Sequence, residues 1–501
     1  MTHDEIAELS AKLHMPVLSL EQMCAESPAF DLLPYAEAAR RGCLALRNAH
    51  GAVSVVLGNP FDLDTQDWLE ERLQAPFRYR VAAPSDIADY LAREEAKMRA
   101  MDGLVAAMPL AGAAGDAGED LSFEAIAETD NTVVRLVAST LYDAIKAGAS
   151  DIHLESTASG LTIKYRVDGV LTPAESVPGV EIAEQVISRI KVMSELDIAE
   201  RRVPQDGRFK ARHKFGATEA GRDIDFRVSV MPSVFGEDAV LRILDRRALS
   251  DQLRGLTLDS LGFDAETIER MRKLSVEPYG MLLVTGPTGS GKTTSLYAVI
   301  SEVNKGLDKI ITIEDPVEYQ LPGVLQIPVN EQKGLSFARG LRSILRHDPD
   351  RIMVGEIRDP ETAEIAIQSA LTGHLVYTTV HANNAFDVLG RFMHMGVDPY
   401  NLVSALNAVL AQRLVRIFCL QCKGAGCAAC RGTGFKGRKA IGELLVLNDE
   451  LRELIITRAP VRRLREAAAA AGTVALRSQA RRLVDNGETS LEEINRVTFV
   501  A

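Results

Sequence analysis

The chain has 501 residues, of which 46% are hydrophobic and 25% are charged, a composition typical of globular proteins that fold in water. Its length exceeds what one hydrophobic core organises and indicates about three or four domains. A net charge of −12 argues against nucleic acid as the main partner, which lowers the case for a helicase.

The sequence predicts a cytoplasmic protein. It contains no apolar run of about 18 residues that would cross a membrane, and its acidic start, Met1 to Glu5, lacks the pattern of a signal peptide. We therefore expect any membrane contact to be indirect, through a partner. The six cysteines are too few for the disulfide framework of a small secreted protein.

Residues 1–100 are predicted to form a small α/β domain. The apolar run 52–57 has strand length and is followed by a Gly-Asn-Pro turn. Helical patterns cover 65–73 and 85–97. Since nothing here resembles a catalytic motif, we interpret the region as a docking domain.

Residues 101–130 differ in composition from both neighbours. Alanine and glycine dominate 103–118, and acidic residues follow. This composition is typical of a flexible linker.

Residues 131–248 are predicted to form an α+β domain. Helical periodicity over 133–147 and 182–194 alternates with strand patterns at 161–167, 222–231 and 239–244, and Asp168-Gly169 marks a hairpin turn. Arginines are frequent near its turns. Most are expected to be solvated surface charges, although an arginine can also complete a nucleotide site from a neighbouring subunit.

The most specific motif is a G-x-x-x-x-G-K-T phosphate-binding loop at 286–293. An apolar strand, 281–285, precedes it and a helical segment follows, which is the context this motif requires. Glycines let backbone N–H groups approach a nucleotide triphosphate, Lys292 would reach the β- and γ-phosphates, and the Thr293 hydroxyl would bind Mg²⁺. The predicted ATP-binding residues are Gly286, Pro287, Thr288, Gly289, Ser290, Gly291, Lys292, Thr293 and Thr294.

Three further apolar strands end in polar residues. The strand 309–313 leads into Glu314 and Asp315, 351–354 leads into Glu356, and 375–380 leads into His381. Because ligands bind beyond the carboxyl ends of parallel strands, these side chains should surround one site.

Hydrolysis requires a metal, a positioned water and neutralisation of the γ-phosphate charge. Glu356 has the position of a Walker-B acid, and Glu314 and Asp315 offer a second acidic position. His374 and His381 flank one strand and are interpreted as sensors of bound nucleotide, although a lone histidine is more often structural.

The chain resembles the ATPases of the type II secretion and type IV pilus superfamily. The similarity covers roughly residues 130–450 in unbroken order, and the Asn-Pro-Phe-Asp segment at 59–62 resembles their N-terminal domain. The matching segments are GASDIHLE (148–155), YRVDG (165–169), PQDGR (204–208), RVSVMP (227–232), the phosphate loop, IEDPVEY (313–319), GEIRD (355–359) and LTGHLVYTTVHAN (371–383).

This resemblance implies a homohexameric motor with a PAS-like domain at 131–248 and a RecA-like P-loop ATPase domain at 249–415. Glu356 would be the catalytic acid, and Arg208 and Arg227 would approach the γ-phosphate. The motor would act on an inner-membrane secretion platform protein, which residues 1–100 would bind.

Four cysteines form a C-x₂-C-x₄-C-x₂-C pattern at 419–430. Two such pairs are typical of a structural Zn²⁺ site, whereas a disulfide is disfavoured in a reducing cytosol. The predicted ligands are Cys419, Cys422, Cys427 and Cys430, in a zinc motif at 416–440 followed by a helical region at 441–501. Assembly ATPases of the superfamily carry two such pairs, which retraction ATPases generally lack, but their connecting segment is much longer than the four residues here.

The sequence therefore predicts an ATPase that powers protein export or pseudopilus assembly by type II secretion, with type IV pilus assembly as the alternative. A nucleotide-gated binding module without appreciable turnover is disfavoured by the acid set. A DNA translocase is a further rival, and stimulation of hydrolysis by DNA would support it.

Overall fold

The computed structural model describes residues 15–73, 76–95, 97–98, 120–121, 126, 131–213, 221–245 and 255–498. The chain divides into two compact units, Met1–Arg246 and Arg247–Ala501.

The first domain of unit one has a four-stranded sheet in the order β1-β2-β3-β4 with a core on its helical side. β3 and β4 are parallel, and the other pairs are antiparallel. The elements are β1 (Ser27–Pro28), β2 (Cys43–Arg47), β3 (Val53–Leu57), β4 (Phe77–Val81), α1 (Leu20–Cys24), α2 (Tyr35–Arg41), α3 (Leu63–Arg72) and α4 (Pro84–Glu95).

The second domain has a seven-stranded sheet in the order β5-β9-β10-β11-β6-β7-β8. All neighbours are antiparallel except β5 and β9, and two helices contribute to the core on one face. The elements are β5 (Asp120–Leu121), α5 (Thr132–Lys146), β6 (Ala149–Thr157), β7 (Gly160–Val167), β8 (Val170–Pro178), α6 (Val180–Met193), β9 (Gln205–His213), β10 (Arg222–Ser233) and β11 (Gly236–Leu244).

The predicted linker, 101–130, is described only at 120–121 and 126. Asp120–Leu121 pair with β9 as a short strand, and Ile126 is buried. The remainder of this prediction lies outside the described residues.

A buried carboxylate joins the first two domains. Glu95, at the end of α4, is 5% exposed and accepts hydrogen bonds from the hydroxyls of Tyr35 (2.8 Å) and Tyr142 (2.6 Å). The Lys146 ammonium donates to the backbone carbonyls of Glu95 and Met98. Side chains from both domains thus meet at one residue.

Unit two is built on a seven-stranded sheet in the order β14-β13-β15-β16-β12-β17-β18, parallel except for β18. Alternate residues of β12 enter two different cores: Met281 and Leu283 pack on one face, and Leu282 and Val284 on the other. Helices cover both faces, which is why the predicted strands are continuously apolar.

The strands of unit two are β12 (Gly280–Thr285), β13 (Ile310–Glu314), β14 (Leu325–Pro328), β15 (Arg351–Val354), β16 (Leu375–Val380), β17 (Leu406–Phe418) and β18 (Phe435–Val446). The helices are α7 (Leu258–Leu261), α8 (Ala265–Leu274), α9 (Lys292–Val303), α10 (Phe337–Ile344), α11 (Pro360–Leu371), α12 (Ala385–His394), α13 (Pro399–Ala405), α14 (Asp449–Ile456), α15 (Val461–Ala470), α16 (Leu476–Asp485) and α17 (Leu491–Val497). Short 3₁₀ turns occupy Glu331–Lys333 and Ala428–Cys430.

The predicted fold class is confirmed: a small N-terminal domain, an antiparallel α+β domain, a parallel phosphate-loop sheet, a tetracysteine cluster and C-terminal helices follow in that order. The expected boundary at residue 415 falls inside β17. The sheet continues through the cysteine segment to β18, and Leu451, Leu464 and Ile494 from the C-terminal helices pack into the core under the parallel strands.

Candidate nucleotide and metal sites

The phosphate loop connects β12 to α9, and its backbone conformation depends on glycine. Gly291 precedes α9 with φ 85°, in the left-handed region that favours glycine. At Gly286, φ is 149°, and a Cβ would lie 2.5 Å from the Gln412 carbonyl oxygen. The loop therefore forms a cradle that side chains would fill, as phosphate binding requires.

Lys292 lies at the mouth of this cradle. Its Nζ donates to the carbonyls of Gly286 (3.0 Å) and Pro287 (3.1 Å). Burial lowers the pKa of Lys292, and the charge of Glu356 partly opposes that effect. Thr293 and Thr294 follow in the first turn of α9, where both are half-buried. The cradle and its cation fit a nucleotide phosphate group, and the Thr293 hydroxyl is of the ligand type that Mg²⁺ takes.

Glu356 and His381 meet at the carboxyl edge of the sheet. Their strands, β15 and β16, are parallel neighbours, so the residues that follow them lie close together. His381 Nε2 is 3.2 Å from Glu356 Oε2. Burial, followed by the charge of Lys292, lowers the pKa of His381 below 6.5. This shift favours the neutral imidazole, which accepts one hydrogen bond and donates one.

Arg358 connects the acids at this edge. Its guanidinium donates to Glu356 Oε1 and lies 3.8 Å from Asp315 Oδ2. The hydrogen bond that Arg358 donates to Glu356 raises the pKa of Arg358, so it stays cationic. The structure thus brings Asp315, Glu356 and His381 together.

Glu314 occupies a different environment from the one expected. It is 2% exposed, and its carboxylate accepts hydrogen bonds from Tyr297, Thr312 and Gln326. These donors lie beneath the end of β13, and the backbone alternation that exposes Asp315 turns Glu314 inward. In this structure the Glu314 carboxylate is held by these three donors and anchors the strand end.

His374 lies apart from the other predicted site residues. It precedes β16, whereas His381 follows it, and the strand register aligns Gly280 with Leu375 and Thr285 with Val380. A strand of six residues separates its ends by about 20 Å. His374 therefore lies at the amino edge of the sheet, where its Nδ1 is 3.0 Å from the Ser369 carbonyl.

The predicted arginines lie together in unit one. Arg227 on β10 is opposite Arg208 on β9 and Arg242 on β11. All three are exposed and line one pocket of about 590 Å³. Arg242 also pairs with Asp151, with 3.1 Å between Nε and Oδ1. Asp151 and Asp206 line the same pocket, so carboxylates offset part of its positive charge.

The four predicted cysteine ligands converge between β17 and β18. Their sulfur atoms all lie within 4.8 Å of one another, with separations of 3.9 Å for Cys419–Cys427 and 3.6 Å for Cys422–Cys430. A tetrahedral zinc with Zn–S bonds of 2.3 Å places its sulfurs about 3.8 Å apart. The cluster therefore fits one Zn²⁺ despite the short connecting segment.

Backbone N–H groups favour the ionised form of the Cys430 thiol. Burial opposes ionisation of Cys430, but hydrogen bonds from the N–H groups of Cys427 and Gly434 outweigh it and lower the pKa of this thiol to about 6. A thiolate at neutral pH is the form that binds metal.

Comparison with known proteins identifies the family of this chain. A family model described as type II/IV secretion system protein matches residues 126–496. The chain belongs to this family. A second model, the MshEN domain, matches residues 13–100.

Relatives of this secretion family protein include both expected branches. Type II secretion system ATPase E of Vibrio cholerae is 44% identical over 396 residues, covering 74% of this chain and 76% of that protein. Type IV pilus assembly ATPase PilB of Myxococcus xanthus is 37% identical over 526 residues, covering 97% and 89%. The structure of Legionella pneumophila ATPase DotB shares the fold, with a TM-score of 0.54, 21% identity and coverage of 72% and 95%.

The predicted identity as a type II secretion family ATPase is thus confirmed. Among its described helices, none is both long and apolar enough to span a bilayer.

Sequence reasoning missed several residues at the site. Thr285 Oγ1 donates to the Val380 carbonyl (2.7 Å) and ties the end of β12 to that of β16. Arg358 was visible within the GEIRD segment, but its pairing with both acids was not. Gln412 and Arg413 come from β17, more than 100 residues beyond the loop, and carry no local signal.

Proposed function

We propose that this secretion family protein is the motor that hydrolyses ATP to power protein export by a type II secretion system. The observation that carries the proposal is the convergence of the phosphate loop, Glu356 and His381 at one sheet edge, in a chain of this family. Binding alone would not require the acid next to the loop.

We assign each side chain a role from its contacts. Lys292 would exchange its bonds to Gly286 and Pro287 for phosphate oxygens. Glu356, which lies beside His381 and Arg358, would orient and deprotonate the attacking water. Thr293 would hold Mg²⁺, which when bound neutralises phosphate charge.

The arginines, the first domain and the cysteines have proposed roles outside the phosphate loop. Arg208 and Arg227 would stabilise the γ-phosphate when a hexamer closes the site, since arginine neutralises charge that develops in phosphoryl transfer. The first domain, residues 1–100, would dock on an inner-membrane platform protein, placing the motor at the cytoplasmic face. The four cysteines would hold Zn²⁺, which when bound fixes the turn between β17 and β18.

A matched pair of variants tests the catalytic assignment. Glu356→Gln keeps shape and removes the base, so phosphate release should fall at least about 100-fold while MgATP binding persists. Glu361→Gln is the control, because Glu361 is an exposed carboxylate (57%) paired with Arg342. Hydrolysis by Glu356→Gln at the wild-type rate would contradict the assignment.

A genetic experiment separates the two secretion roles. Deleting the gene in the source bacterium should abolish release of exported proteins into the medium while surface pili remain. Wild type should restore export, and Glu356→Gln should not.

Type IV pilus assembly is the second candidate, because the pilus relative aligns over more of this chain than the Vibrio cholerae secretion relative does. Loss of pili with normal export after the deletion would favour it.

A further inference from the structure

One buried side chain from a neighbouring strand contacts the phosphate loop directly. Gln412, on β17, is 1% exposed. Its Nε2 donates to the Ser290 carbonyl (2.8 Å), and its Oε1 accepts from the Ser295 hydroxyl (2.7 Å). Both ends of the amide are therefore used, one on the loop and one on the first turns of α9.

Gln412 lies so close to the loop that a Cβ would crowd it at two glycine positions. A Cβ at Gly291 would lie 2.9 Å from Gln412 Nε2, and one at Gly286 would lie 2.5 Å from its carbonyl oxygen. Contacts this short force a shift. The loop glycines thus accommodate this side chain and its backbone as well as a phosphate.

The backbone of Gln412 is fixed in turn by the next residue. Arg413 is 8% exposed. Its Nη1 donates to the Gln412 carbonyl (3.0 Å), and its Nη2 donates to the Asn383 carbonyl (2.7 Å), two residues after His381. β17 therefore supports both the phosphate loop and the segment that carries His381.

We propose that Gln412 is a positioning residue for nucleotide binding. It holds the Ser290 peptide and the start of α9 so that the loop N–H groups point into the cradle before nucleotide arrives. Because the loop is already ordered, it loses less conformational entropy when nucleotide binds, which strengthens affinity. The inference rests on ATP binding in the proposed function and adds the residue that shapes the loop.

Gln412→Leu tests this assignment, because leucine keeps much of the volume but leaves the Ser290 carbonyl and Ser295 hydroxyl unpaired. The control is Gln479→Leu, which removes another buried glutamine (7% exposed) that donates to Asp264 in the same unit (2.8 Å). Both changes should lower the melting temperature of the full-length protein without nucleotide. Only Gln412→Leu should change its response to nucleotide.

The measurements are the Kd for MgADP by calorimetric titration and the rise in melting temperature at saturating MgADP. For Gln412→Leu we expect Kd to increase about tenfold, which corresponds to ~1.4 kcal/mol, and the nucleotide-induced rise to shrink. Gln479→Leu should keep the wild-type Kd. Equal Kd values for the two variants would overturn the proposal.

A milder substitution covers the case in which Gln412→Leu does not fold. Ser295→Ala removes one of the two amide contacts and should weaken MgADP binding about threefold, half the logarithmic effect of leucine. An unchanged Kd there would overturn the proposal. A wild-type protein that fails to bind MgADP or MgATP would instead refute the proposed function, so the two failures are distinguishable.

Discussion

The phosphate loop and the cysteine cluster lie along the same strand but are stabilised in different ways. β17 passes the loop at Gln412 and ends one residue before Cys419. The loop is a backbone site, whose N–H groups are aimed by glycines and by contacts from other strands. The cluster is a side-chain site, in which four sulfurs come from twelve consecutive residues.

This difference has a physical consequence. A backbone site depends on the surrounding sheet, since Thr285 ties β12 to β16 just before the loop and Gln412 of β17 bonds to the loop itself. A local side-chain site depends mainly on its own turns and its ligand. Substitutions at the loop should therefore affect chemistry first, and substitutions at the cluster should affect local stability first.

Lys292→Ala should produce the largest effect on the loop side of this comparison. Removing the charge that faces the phosphates should lower hydrolysis at least about 100-fold, the scale for losing one preorganised electrostatic contact, while the melting temperature without nucleotide changes little. Phosphate release and thermal unfolding measure the two effects. Lys273→Ala is the control, because Lys273 forms an exposed pair with Glu269, and hydrolysis above a tenth of wild type in Lys292→Ala would contradict the expectation.

The sequence was sufficient to locate the loop, because strand, glycines and helix are contiguous. It was sufficient to group the four cysteines, because their spacing is local. It was also sufficient for the strands at 351–354 and 375–380, since buried parallel strands are continuously apolar. The environment of Glu314 depended on donors from three elements, Tyr297, Thr312 and Gln326. His374 was grouped with His381 because the two flank one strand, and the structure shows that the length of β16 separates them. Neither Gln412 nor Arg413 carries a pattern that links it to the loop.

Cys430→Ser should produce the largest effect on the cluster side. Metal analysis of wild type purified without chelator should find about one Zn per chain, and the variant should hold almost none. We expect unit two to melt several degrees lower, because metal affinity contributes to folding, while hydrolysis falls much less than in Lys292→Ala. Cys24→Ser is the control, since Cys24 is an exposed thiol outside the cluster, and a full zinc complement in Cys430→Ser would contradict the site.

Glu493→Gln should show how the turn end of the β17–β18 pair, where Glu493 binds Arg416, responds to acid. Glu493 is buried, which raises its pKa, but bonds from Arg496 and Arg416 outweigh burial and lower that pKa to about 2. Its stabilisation is thus present above about pH 4.5 and is lost as pH falls toward 2. The carboxylate contributes roughly 3 kcal/mol at pH 7, so the variant should be less stable there and lose less on acidification.

Urea unfolding at pH 7, pH 4.5 and pH 3 measures this dependence, because most of the loss falls below pH 4.5. Asp485→Asn is the matched control, because the Arg481–Asp485 pair is exposed and such pairs contribute little. If acidification lowers the free energy of unfolding by the same amount in wild type and in Glu493→Gln, the assignment is refuted.

His374→Ala should have the smallest effect on chemistry. Its side chain contacts the Ser369 carbonyl at the amino edge, so kcat/KM should change less than about threefold (~0.6 kcal/mol). His381→Ala, which removes the partner of Glu356, should lower kcat about tenfold or more. Equal losses in steady-state kinetics would show that both edges of the sheet serve the reaction.

The Glu95 contact determines where this protein can be shortened. Removing residues 1–100 would delete the acceptor of the Tyr142 hydroxyl and leave the Lys146 ammonium without the two carbonyls it now meets. A truncated ATPase that starts near residue 131 would therefore expose the face of α5 that carries Tyr142 and Lys146, which in the longer chain meets the first domain.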